Sequence, residues 1–140
     1  MTLRIGIIGA GRNTRSKHLP GFQKIDGVEV TAVCNRTRES GQMVAEEFGI
    51  PAVCDDWKEL VERDDVDALC VGTWPNMHCE TTLAALKAGK HVLSEARMAM
   101  NLAEARQMLA AAQRSDCVAM VVPAPIFLES ESTLLEMIVD

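Results

Sequence analysis

The stretch Leu3-Arg-Ile-Gly-Ile-Ile-Gly-Ala-Gly-Arg-Asn-Thr14 decides how this chain is read. Leu3, Ile5, Ile7 and Ile8 form an apolar run in which alternation is lost. A parallel strand covered on both faces has that composition. The run ends abruptly in Gly9-Ala10-Gly11, and a helix start comes next. Gly9 permits a tight turn, and Gly11 carries no Cβ to hold a pyrophosphate away from the backbone. The first amides of the following helix, with its dipole, face that negative charge. Thr14 replaces the third glycine of G-x-G-x-x-G, so helix and strand are expected to pack slightly less closely there. Glycine-rich turns also end strands for structural reasons alone, so the turn by itself leaves both readings open.

The rest of the chain supplies the context. A helix is expected from Asn13 toward Ile25, ended or kinked at Pro20-Gly21. Val28 to Cys34 reads as a second strand. Glu39 to Phe48 reads as a helix with Met43, Val44 and Phe48 on one face and Gly49 just past its end. A short strand near Ala52 to Cys54 leads to Asp55-Asp56, which cap a helix with Trp57, Leu60 and Val61 inward. Ala68 to Val71, His91 to Leu93 and Val118 to Val122 complete six strands. Between them lie helices over Met77 to Ala88 and, from the capping-box-like Asn101-Leu-Ala-Glu104, one with Leu102, Ala105, Leu109 and Ala112 on a face. After Pro123 and Pro125, Leu128 to Val139 reads as a final amphipathic helix. Strands alternating with helices predict right-handed crossovers and a parallel, doubly wound α/β sheet of the Rossmann type. Ligands of such sheets lie at the carboxyl ends of the strands, which favours the dinucleotide reading of the glycine turn.

Composition narrows the function classes. The 140 residues suit one domain that buries roughly two-thirds of its unfolded surface. With 48% hydrophobic and 24% charged residues, the chain reads as soluble and globular. No apolar run is long enough to span a bilayer, and the start lacks a signal-peptide core, so no membrane association is expected. A net charge of -6 argues against nucleic acid as a partner. Cys34, Cys54, Cys70, Cys79 and Cys117 are odd in number and lack C-x-x-C spacing. They read as reduced thiols of a cytoplasmic protein, with neither a disulfide framework nor a metal site.

Three further stretches carry the candidate chemistry. Asn35 ends the second strand where an NAD-selective fold places a carboxylate on the ribose, and Arg36 and Arg38 come directly after. NADP therefore leads over NAD, with Asn35 on the ribose and Arg36 or Arg38 forking a 2′-phosphate. The alternative is a solvated basic loop. Thr73-Trp74-Pro75-Asn76-Met77-His78 closes the fourth strand at the same sheet edge. There Trp74 can lie flat on a ring, Pro75 stiffens the loop, and His78 either serves a ligand or caps the helix. Glu95 and Arg97 emerge from the fifth strand toward the crevice; their alternative is an ion pair with each other at its rim. Lys90 and His91, at the amino end of that strand, read as structural, as does His18 on the first helix. The Met98 to Met100 pair and Met108 read as core filler.

Together these stretches resemble the glucose-fructose oxidoreductase / inositol dehydrogenase / MocA (Gfo/Idh/MocA) family. The carrying residues are Ile-Gly-Ile-Ile-Gly-Ala-Gly-Arg12, Val-Thr-Ala-Val-Cys-Asn-Arg36, Val-Asp-Ala-Leu-Cys-Val-Gly-Thr73, Pro-Asn-Met-His78 and Ala-Leu-Lys-Ala-Gly-Lys-His-Val-Leu-Ser-Glu95. The resemblance implies an NAD(P)-binding Rossmann domain, residues 1–124, with 125–140 as the crossover and first helix toward an α+β domain this chain does not reach. It implies hydride exchange with a sugar- or cyclitol-like alcohol or ketone, and a homo-oligomer. On that reading Gly9, Gly11, Arg12, Asn13 and Thr14 cradle the pyrophosphate, and Asn35, Arg36 and Arg38 take the adenosine ribose or its phosphate. Thr73, Trp74, Pro75 and His78 line the nicotinamide side, with Glu95 and Arg97 beside the ring; His78 and Arg97 are the candidate catalytic residues.

One departure bears on mechanism. The family's Glu-Lys-Pro reads Glu95-Ala96-Arg97 here, so the proton-transferring lysine is Ala96, and Arg97 stays charged at neutral pH. A rival expectation is therefore a non-catalytic NAD(P)-binding sensor or assembly module. A weaker one is an interaction domain that kept the fold and lost the ligand. An isolated cofactor domain is expected to bind dinucleotide and turn over poorly.

Overall fold

The structure, a computed structural model, describes residues 2–122. The expected helix over Leu128 to Val139, Pro123, Pro125 and the boundary between residues 124 and 125 lie outside the described residues. Six parallel strands form one sheet in the order β3-β2-β1-β4-β5-β6. They are β1 (Leu3–Ile8), β2 (Val28–Cys34), β3 (Ala52–Cys54), β4 (Ala68–Val71), β5 (His91–Ser94) and β6 (Ala119–Val121). The helices are α1 (Leu19–Phe22), α2 (Arg38–Phe48), α3 (Trp57–Glu62), α4 (Pro75–Lys87) and α5 (Leu102–Ala112), and a π-helical turn, Thr14–His18, leads into α1. Strand order reverses between β1 and β4, and that switch point opens the ligand crevice of a doubly wound sheet.

The core explains the loss of alternation in β1. Ile8 joins Leu60, Val61, Leu69, Val71 and Leu86 in one apolar cluster. Ile5 and Ile7 join Leu19, Val33, Val44 and Cys70 in a second cluster. Both faces are therefore dry. Gly6 has no freedom either, because a Cβ there would lie 2.5 Å from a Leu60 methyl. All five cysteines are free, and no helix among the described residues is long and apolar enough to cross a membrane.

The helices depart from the sequence reading in four places. Pro20 and Gly21 do not end the first helix. The Leu19 amide reaches back five residues to the Thr14 carbonyl, so the widened turn absorbs the proline, which has no N–H to place. α4 begins at Pro75 rather than Met77, because proline at a first helical position needs no intrahelical partner. Met43 faces solvent, and the buried positions of α2 are Gly41, Val44 and Ala45. α5 flanks the β5–β6 edge and buries only Met108, leaving Leu102 and Leu109 exposed. The expected caps are present: Asp56 accepts from the Lys58 amide at 2.9 Å, Asn101 from Glu104 at 2.9 Å, and Gly49 closes α2 with φ +69°.

The amino end of the sheet is held by polar contacts. Lys90 donates to the Arg63 and Val66 carbonyls at 2.7 Å each, and His91 Nδ1 accepts from the Val118 amide at 2.9 Å. Arg4 grips Asp67 through its guanidinium, at 2.6 and 3.0 Å, and through its amide, at 2.9 Å. The guanidinium first and the amide second hold the Asp67 carboxyl at about 2, below its ordinary 3.8. A carboxyl depressed on folding adds stability above its unfolded value and loses it as pH falls through the folded one. The Asp67 contribution is thus expected to fade between about pH 4 and pH 2. Urea midpoints of the parent and Arg4→Gln should converge as pH drops through that window. A gap that stays constant would contradict the pairing.

Candidate functional site

Register assembles the site. Ile8 lies opposite both Cys34 and Val71, and Val71 lies opposite Ser94. The next residue on each strand is therefore brought to one edge: Gly9, Asn35, Gly72 and Glu95. No pair of these is close in sequence.

Gly9 takes φ +84°, and a Cβ there would lie 2.6 Å from the Thr73 methyl and 2.9 Å from its amide. The turn is tied down on two sides. The Gly9 amide donates to the Cys34 carbonyl at 2.8 Å, and the Ala10 amide donates to Asn35 Oδ1 at 2.7 Å. Gly11, Arg12 and Asn13 open the helical segment, so their amides have no partner within it. All three residues are exposed. A Cβ on Gly11 would meet only the Gly72 carbonyl, at 3.9 Å, so the approach to the turn is open. Ala10, Gly11, Arg12, Arg15, Ser16 and Glu47 line a cleft of about 410 Å³, closed at one rim by the Arg15–Glu47 ion pair. Free amides and bare backbone at a helix start fit a pyrophosphate.

Thr14 corrects one expectation. It is fully buried, with its hydroxyl donating to the Gly9 carbonyl at 3.2 Å. Packing is close there because Gly72, on the neighbouring strand, makes the room. A Cβ on Gly72 would lie 2.1 Å from the Thr14 oxygen and 2.5 Å from the Gly9 carbonyl oxygen. The closeness that a third glycine gives within the motif comes here from β4.

The ribose end is sorted by contacts. Asn35 makes one internal bond from each end of its amide, accepting from the Ala10 amide and donating, at 3.1 Å, to the Ser40 carbonyl. Arg38 pairs with Asp55 at 2.8 Å. Arg36 is exposed and has no ion-pair partner among the described residues.

Across the crevice, Trp74 is 81% exposed at the start of α4, with Pro75 after it. His78 is buried: Nδ1 lies 2.8 Å from the Arg97 carbonyl oxygen and Nε2 3.0 Å from that of Thr73. The ring thus lies between the Thr73 loop and the Arg97 backbone, and when neutral it donates to one of the two carbonyls. Glu95 Oε1 is approached by Asn13 Nδ2 and, at 2.5 Å, by His18 Nε2, while Oε2 accepts from the Ala96 amide at 3.2 Å. Glu95 therefore pairs with His18 and not with Arg97, whose side chain is exposed.

The sequence and the fold are both similar to known ones. The sequence matches the Gfo/Idh/MocA oxidoreductase family, NAD-binding Rossmann fold, over residues 3–122. The chain belongs to that family, as an NAD(P)-binding Rossmann domain. It is 38% identical over 119 residues to 4-carboxy-2-hydroxymuconate-6-semialdehyde dehydrogenase of a Sphingobium species, covering 85% of this chain and 38% of that protein. It is 41% identical over 115 residues to 1,5-anhydro-D-fructose reductase of Ensifer adhaerens, covering 82% of this chain and 34% of the reductase. Among solved structures it is similar to KijD10, a 3-ketoreductase from Actinomadura kijaniata in complex with TDP-benzene and NADP. The TM-score is 0.86 at 29% identity, over 99% of this chain and 43% of that one. The chain thus spans about a third of the length of these two curated relatives.

The contacts of two residues at this candidate site escaped the sequence reading. Gly72 was legible as a glycine directly after a central strand. His18 lies five residues after Asn13, a spacing that an α-helix does not align. The π-helical turn puts both on Glu95, and Pro20 just beyond was the available sign of an irregular turn. Burial pushes the Glu95 carboxyl up, but hydrogen bonds from His18, Asn13 and the Ala96 amide outweigh it and hold the group below its ordinary 4.5. Carboxyl carbon shifts should give Glu95 a titration midpoint below 4.5, rising in His18→Leu. A midpoint unmoved by that change would sink the pairing.

Proposed function

We propose that this chain holds the dinucleotide of an NADP-dependent oxidoreductase that exchanges hydride with a sugar- or cyclitol-like alcohol or ketone. One observation carries the reading: four strand ends in register gather free helix-start amides, Asn35, the Thr73 loop and Glu95 around one crevice. The bound nicotinamide supplies or accepts the hydride. Gly9, Gly11, Arg12, Asn13 and Thr14 form the pyrophosphate cradle, and Asn35 fixes that turn while bordering the ribose. Arg36 is the free fork for a 2′-phosphate, because Arg38 must first leave Asp55.

Thr73, Trp74 and Pro75 wall the nicotinamide side, and Glu95 presents a fixed carboxylate beside it. His78 acts through position: its ring lies between the Thr73 and Arg97 carbonyls, donating to one of them when neutral, and so sets the Thr73 loop. Arg97 turns an exposed guanidinium to an acidic or hydroxylated substrate. The sugar-like substrate class draws support from relatives described as an anhydrofructose reductase and a 3-ketoreductase. Homo-oligomer formation, cytoplasmic location and the absence of nucleic-acid or membrane partners belong to the same reading. A second reading, a non-catalytic NAD(P)-binding sensor or assembly module, is favoured by Ala96, which has no proton to give.

Calorimetric titration tests the cofactor assignment. NADPH should bind more tightly than NADH, and Arg36→Gln should weaken NADPH by about tenfold to a hundredfold, as loss of a charged hydrogen bond does. NADH should change by less than about twofold, and Arg38→Gln should cost NADPH less than Arg36→Gln. Equal losses for both nucleotides would refute the role of Arg36.

A further inference from the structure

A second cavity, of about 100 Å³, lies between β5, β6, α4 and α5. Two of its lining residues are Thr82 of α4 and Ser94 of β5, which are 3% and 1% exposed. Their hydroxyl oxygens are buried and have no hydrogen-bond partner among the described residues. Buried hydroxyls are almost always paired, and the adjacent Thr81 shows the usual solution by donating to the Met77 carbonyl at 2.7 Å. Two orphaned hydroxyls on one cavity form a polar pole that awaits a partner.

The remaining wall is apolar and adaptable, with Val92, Met98, Met108 and Met120. A single water needs only about 10–15 Å³, so the volume admits several. Each buried water, however, wants two to four polar partners, and Thr82 and Ser94 are the only residues lining this cavity with polar side chains. A water cluster would leave most of its members against thioether and aliphatic carbon. No charged side chain lines the space, so an ion would be buried without compensation. Leu109 and Met120 also line it and are more than half exposed, which gives a guest a way in.

We propose that this cavity binds a small neutral organic molecule with an apolar body and one hydrogen-bonding head, of the short-chain alcohol or ketone class. Each hydroxyl can donate or accept, so either head is served. Ser94 immediately precedes Glu95 and Met98 immediately follows Arg97, so the guest lies against the segment that borders the crevice. The site stands independently of what the crevice holds.

Methionine methyl spectra of the full chain, titrated with 1-butanol, read the site directly. Saturable shifts are expected at Met98, Met108 and Met120, with none at the exposed Met43 of α2. Thr82→Val/Ser94→Ala removes the hydroxyls with little change of shape. It should weaken 1-butanol by about tenfold, the worth of a net hydrogen bond, while leaving cyclopentane, which has no head, unaffected. Ser94→Ala alone carries the same comparison if the double variant does not fold. Shifts that never saturate, that include Met43, or that are indifferent to loss of the hydroxyls would overturn the proposal. Absence of any response, as expected if water or residues 123–140 held the space, would overturn it equally.

Discussion

The buried hydroxyl of Thr14, packed into the space that Gly72 leaves and bonded to the Gly9 carbonyl, is the constraint on which the rest depends. It joins three separate pieces of chain: the end of β1, the start of the first helical segment and the end of β4. With side chains at Gly9 or Gly72 the pieces could not meet, since the nearest contacts would fall to 2.6 and 2.1 Å. Overpacking of that kind costs typically about 1–3 kcal/mol and moves backbone. Because the pieces do meet, the helix-start amides stand open at the switch point of the sheet.

From that junction the crevice is built by struts rather than by loose side chains. Asn35 ties β2 to the glycine turn, His78 ties the Thr73 loop to Arg97, and Glu95 ties β5 to Asn13 and His18. Each strut uses a polar group that the sequence presents as a ligand contact. Beside these internally bonded groups, the edge carries backbone amides, Arg12, Arg36, Trp74 and Arg97 with no internal side-chain partner among the described residues. The consequence of Ala96 lies here too, for none of the struts offers a lysine-like proton.

Much of this was legible in the sequence. Buried parallel strands carry dense apolar runs, and glycines mark their ends, so strands and topology followed from local pattern. Family membership followed because several such stretches keep their order and spacing. Side-chain partners were not legible, because they depend on register between strands far apart in sequence. His18 read as structural, and its contact with Glu95 was not legible because the turn that aligns it with Asn13 is not α-helical. The bonds of Asn35 to Ala10 and Ser40 were not legible, because nothing local in the sequence shows them. Met43, Leu102 and Leu109 read as core because periodicity gives a face but not whether a neighbour covers it.

Amide chemical shifts of the chain during titration with NADPH test the central claim most directly. A dinucleotide docked on the open turn should move Gly9, Gly11, Arg12 and Asn13 together and saturably, with Thr73 and Glu95 responding on the far side. The Lys90 and His91 amides at the opposite end of the sheet should stay fixed. Saturable binding that leaves the glycine-turn amides unmoved, or that centres on the amino end of the strands, would contradict it.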